Sequence, residues 1–107
     1  MTAITGEDWS VLNDGITFGQ AGPEGGVVLR DEEHLLGARI TLEQSGAIAP
    51  FTITCGVYVL LMHTRFFGSQ ADGEREYDAM KIGLVRVAEA GEQDFNVEAS
   101  AFVTQFP

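Results

Sequence analysis

The sequence predicts an α+β domain. It should contain an antiparallel β-sheet of about four to five strands built from hairpins, then one long C-terminal helix and a second short helix packed on one sheet face. Three observations lead there: apolar residues alternate with period two in several short runs, glycine clusters separate those runs, and the apolar period becomes helical after Ser69. With 107 residues the chain is read as a single domain, 1–107, large enough for one hydrophobic core. Hydrophobic residues make up 45% and charged residues 21%, a balance that favours folding over disorder.

Gly15, the cluster at 21–26, Gly37 and the 44–46 segment read as turns, because glycine reaches positive φ at little cost and Pro23 presets a turn. Between them Ile16 and Phe18 flank Thr17, Val27 and Leu29 alternate with Val28 and Arg30, and Ile40 and Leu42 alternate with Arg39, Thr41 and Glu43. Each run reads as a strand. After Pro50 the alternation continues through Phe51, Ile53 and Cys55, and Gly56 suggests a bulge or bend. Residues 57–62 are apolar on both alternating faces, so this stretch reads as the centre of the sheet, continuing through His63 and Arg65 to Phe67, where Gly68 ends it.

Ser69-Gln70-Ala71-Asp72 has the form of a capping box, which predicts a helix start. Tyr77, Met80, Leu84, Val87 and Ala88, with Val85 at the edge, then share one helix face, while Arg75, Asp78, Ala79, Arg86 and Glu89 lie opposite. Gly91 is the expected stop. Gly83 costs about 1 kcal/mol relative to alanine inside a helix, which close packing on the sheet would explain. The tail fits two templates, and helix is chosen over strand because it groups Phe95, Phe102 and Phe106 and offers Asp94 as N-cap.

Acidic residues outnumber basic ones 16 to 6, for a net charge of −10, which disfavours nucleic acid and anionic membrane surfaces as partners. Such a field attracts basic protein surfaces, although its commonest role is solubility. Cys55 is the one cysteine, so neither an intramolecular disulfide nor a multi-cysteine metal site is possible, and a reducing compartment fits. The first ten residues lack a signal-peptide pattern, and the longest apolar run, 57–62, is far short of the about 20 residues of a membrane helix. A cytoplasmic, non-membrane protein is expected.

His63 and Arg65 share a strand face with Leu61 and Phe67 and form the best ligand-binding candidate. Arg65 would anchor a carboxylate or phosphate, His63 would donate or carry a proton, and Tyr77 would complete a pocket between sheet and helix. Against this stands a structural ion pair between Arg65 and one of the many acids. Residues 31–34, Asp-Glu-Glu-His, are the densest polar cluster, but consecutive residues diverge and a solvated hairpin tip explains them, so no metal site is assigned. Cys55 alternates with Phe51 and Ile53 and reads as a core residue rather than a nucleophile. No serine-hydrolase or phosphate-loop pattern is present, and no cofactor is called for.

The sheet face away from the helices needs a cover if its central strand is apolar on both sides. Either the segment with Trp9, Val11 and Leu12 or a second copy of the chain, making a homodimer, would provide it. The leading expectation is a non-enzymatic acidic interaction or accessory domain for a basic protein partner, for example an inhibitor or immunity-like protein. The alternative is a small-molecule binder or enzyme using His63 and Arg65.

Overall fold

The computed structural model describes residues 8–58, 61–90 and 93–107. Five strands, β1 (Trp9–Val11), β2 (Val27–His34), β3 (Ala38–Gln44), β4 (Phe51–Val57) and β5 (Leu61–Phe67), precede helices α1 (Gln70–Glu89) and α2 (Phe95–Gln105). The strands form one antiparallel sheet in sequence order. The α+β class, the hairpin-built sheet and the long and short helices are thus as the sequence predicts.

Alternation sorts the side chains. Ile40 and Leu42 of β3, with Ile53, Cys55 and Val57 of β4, are buried on the face that meets α1, where Tyr77, Met80, Leu84, Val85 and Val87 close the core. Burying each large apolar side chain contributes about 1.5–3 kcal/mol, so this layer supplies the main favourable term. Phe102 and Phe106 of α2 extend the core.

Ser69 caps α1 as expected, its Oγ accepting from the Asp72 amide at 3.2 Å. Close approach to the sheet falls at Gly73, where a Cβ would lie 3.4 Å from Leu42 Cδ1. Gly83 instead faces α2, where a Cβ would lie 2.9 Å from Phe106 and 3.0 Å from Phe102. The expected stop at Gly91 lies outside the described residues; α1 leaves helical geometry at Ala90. In α2 the Asp94 side chain makes no capping bond, and its backbone carbonyl accepts from the Glu98 amide at 3.0 Å.

Four details differ from the sequence reading. Residues 16–18 form turns rather than a strand, because the chain leaves β1 through the 3-10 segment Leu12–Gly15, where Asn13 and Asp14 take positive φ. In β2 the register shifts between Val28 and Arg30, so Val28 is buried and Val27 exposed. Gly56 carries no bulge and pairs regularly with Arg39 and Met62. Most consequentially, the stretch 51–67 is not one central strand: it turns at Tyr58, Val57 pairs with Leu61, and β5 is an edge strand beside β4. Residues 59 and 60, part of the run read as doubly apolar, lie outside the described residues.

The N-terminal strand does not cover the sheet. Trp9 pairs with His34 at the β2 edge and is buried, its ring edge-on to the imidazole with centroids 5.2 Å apart. Among the described residues the face opposite the helices therefore leaves Tyr58 78%, Met62 77% and Phe66 45% exposed. No helix among the described residues is long and apolar enough to cross a membrane.

Candidate functional site

His63 and Arg65 lie side by side on the helix-facing side of β5, where both are taken up by the end of the chain. His63 Nε2 donates to the Phe106 carbonyl oxygen, which fixes the proton on that nitrogen. Arg65 donates from Nε to the Pro107 carbonyl at 3.1 Å and from Nη1 to Glu76 at 2.7 Å. The pair thus clasps the segment after α2 against the sheet edge.

Tyr77 is remote from this clasp. Its hydroxyl lies 2.9 Å from Glu32 and 3.2 Å from the Ile40 carbonyl, and the Arg30 guanidinium sits 3.9 Å above its ring. Burial and the neighbouring Glu32 charge push its phenol well above the ordinary range. Lys81 reaches the same carboxylate at 2.7 Å. Burial opposes ionisation of Glu32, but the Lys81 and Tyr77 hydrogen bonds outweigh it and hold the carboxyl below its usual value. This network pins α1 to β2.

The 31–34 cluster is part of β2, not a solvated hairpin tip; the turn follows at 35–37, with Gly37 at φ +97°. Its side chains alternate faces and find separate partners. Asp31, fully buried on the face away from the helices, accepts from Arg39 Nε and Nη2 at 3.0 and 2.8 Å and from the Thr41 hydroxyl at 3.0 Å. Glu32 joins the Tyr77 network, and His34 Nδ1 accepts from the Leu36 amide at 3.1 Å.

Cys55 is buried, and desolvation pushes its thiol up to about 12, the nearby Arg65 charge opposing only in part. The thiolate needed for nucleophilic chemistry is therefore scarce at neutral pH. A chromogenic disulfide reagent at pH 8 should label the urea-unfolded chain at once and the native chain only at its rate of opening; rapid native labelling would contradict this burial.

The face opposite the helices carries the feature that the sequence reading missed. Cross-strand pairing places Asp31, Thr41, Thr54 and Thr64 in one row across four strands, and Arg39, Gly56 and Met62 in the next. Because Gly56 has no side chain, a gap opens between Arg39 and Met62, and a cavity of about 320 Å³ forms there, lined also by Tyr58, Thr54 and Pro23. The signal was in the sequence: an isolated strand glycine marks either a bulge or a close backbone approach, and the second applies here.

A second depression, of about 260 Å³, lies at the junction of the helices and is lined by Arg86, Glu89, Asp94 and Glu98. His63, Arg65 and Tyr77 line neither depression. Compared with models of protein families, with curated proteins and with solved structures, the chain matches none.

Proposed function

We propose that this protein is a non-enzymatic binding module that docks a basic protein partner through the acidic end of its helical layer. The observation that carries the proposal is the distribution of ion pairs. Arg30, Arg39, Arg65, Arg75 and Lys81 are each held against carboxylates within the fold, whereas Arg86 makes no ion pair among the described residues. Glu89, Asp94 and Glu98 line the same depression at the helix junction as Arg86, so the local excess is negative and solvent-facing. Such a surface steers and orients a cationic partner. An inhibitor or immunity-like protein acting in the cytoplasm on a basic target is one concrete version of this role.

Support for a homodimer is narrower than the sequence suggests. The described residues of the doubly apolar run, Val57, Tyr58, Leu61 and Met62, lie at the ends of β4 and β5 rather than mid-sheet, and the polar row of Asp31, Thr41, Thr54 and Thr64 divides the open face. Two bodies of charge −10 also repel each other.

Titration with decalysine tests the docking surface. The double variant Glu89→Gln/Glu98→Gln should weaken binding about threefold or more, and affinity should fall steeply with salt. The charge-matched control Asp14→Asn/Glu33→Gln should change it less. Equal losses in both variants, or binding indifferent to salt, would remove the helix junction as the docking surface.

A further inference from the structure

The cavity on the open sheet face differs chemically from the acidic exterior. None of its lining residues is an acid. Of the two carboxylates beside Arg39, Asp31 is fully buried and already receives three hydrogen bonds, and Glu33, its cross-strand neighbour, is exposed. Two groups lining the cavity keep donors to spare. Arg39 binds Asp31 through Nε and Nη2, leaving Nη1 without a hydrogen bond among the described residues. Thr54 Oγ1 is shielded from solvent and has no hydrogen-bond partner among the described residues. Apart from Thr41, whose hydroxyl donates to Asp31, and the Tyr58 hydroxyl, the remaining surface is apolar or backbone, with Tyr58, Met62 and Pro23 around the floor at Gly56.

We propose that this cavity binds a small, uncharged, largely apolar molecule bearing a carbonyl-type acceptor. The acceptor is hydrogen-bonded by Arg39 Nη1 and by the Thr54 hydroxyl, whose side chain turns toward the cavity on binding, and the apolar body lies over Gly56 between Tyr58 and Met62. The ligand is uncharged for a physical reason. Asp31 already neutralises the Arg39 charge, so an anion gains no net ion pair and meets a protein of charge −10. A cation would face the guanidinium donors. A volume of about 320 Å³ falls within the range of small-molecule sites, which join apolar walls to a few placed polar groups. The site lies across the sheet from the helices and shares no lining residue with the acidic depression, so it stands or falls separately from partner docking.

The probe is benzamide, titrated into the full chain and followed by amide and methyl resonances, with benzoate and benzylamine as charged counterparts. Benzamide should give saturable shifts concentrated at Thr54, Gly56, Tyr58 and Met62, and both charged probes should bind at least about fivefold more weakly. Thr54→Val, which keeps shape and removes the hydroxyl, should weaken benzamide about fivefold, as expected for one hydrogen bond. Arg39→Lys, which keeps a charge for Asp31 and removes Nη1, should weaken it as well and covers the case in which Thr54→Val fails to fold. Absence of saturable shifts, tighter binding of a charged probe, or unchanged affinity in both variants would overturn the proposal. So would sedimentation as a dimer with Tyr58 and Met62 buried between copies.

Discussion

Replacing Gly56 by alanine should lower the thermal midpoint by about 15 °C, corresponding to about 3 kcal/mol in a domain of this size. Gly56 sits in regular register between Arg39 of β3 and Met62 of β5. A Cβ placed there collides with the Leu61 carbonyl oxygen and comes within 2.9 Å of the Met62 sulfur. The methionine can swing aside, because it is exposed and flexible. The carbonyl belongs to the adjacent strand and moves only if the β4–β5 hairpin opens. Alanine would otherwise be tolerated in a strand better than glycine, so a loss of stability isolates the collision. Thermal and urea unfolding, with Thr54→Ala as a neighbour that adds no atoms, measure it. A Gly56→Ala midpoint within about 2 °C of the parent would mean that β4 and β5 do not pair in this register.

That hairpin is also where the sequence was least legible. Strands β3 and β4 could be read because their apolar residues alternate cleanly, and α1 because Ser69 and Asp72 announce it before Tyr77, Met80 and Leu84 repeat at helical spacing. The sequence offers none of the usual turn residues near Tyr58, where the chain reverses, and the apolar run 57–62 reads as a buried strand. Length held the missing clue, since an unbroken strand over 51–67 exceeds the usual 3–10 residues, roughly speaking, and so called for a reversal near its middle. The neighbourhood of His63 and Arg65 was legible from strand periodicity, but their partners were not. Phe106 and Pro107 lie 43 and 42 positions away, and only folding brings them there. Gly56 signalled a close backbone approach, but the extent of the open-face cavity was not legible, because its walls come from residues on three strands and the Pro23 turn.

Substituting Glu43 by alanine should cost about 3 kcal/mol and free the 22–26 turn. Glu43 is fully buried, and its carboxylate has no cation against it among the described ion pairs. It accepts instead from the Gly26 amide at 2.7 Å and from the Glu24 amide at 3.1 and 3.2 Å. Glycine is required around it: a Cβ on Gly22 would lie 2.7 Å from Glu43 Oε1, and one on Gly26 would lie 2.5 Å from the Gln44 carbonyl. Hydrogen bonds to a charged acceptor contribute about 1.5–3 kcal/mol each, and alanine removes those of two amides while relieving the cost of burying a charge, so the net loss falls near the lower end of that sum. Hydrogen exchange at Glu24 and Gly26 should accelerate far more than at the β3 and β4 amides of the sheet interior. Glu43→Gln should fall between, since its carbonyl can keep one amide while its NH2 faces the other donor. Unchanged exchange in Glu43→Ala would show that the turn is held by its own backbone bonds, Gly22 to Gly26 at 2.8 Å and Ala47 to Glu24 at 3.1 Å. Because Pro23 in this turn lines the open-face cavity, Glu43→Ala should also weaken benzamide binding while leaving Thr54 and Arg39 untouched. The buried carboxylate thereby holds one wall of the cavity without touching what the cavity holds.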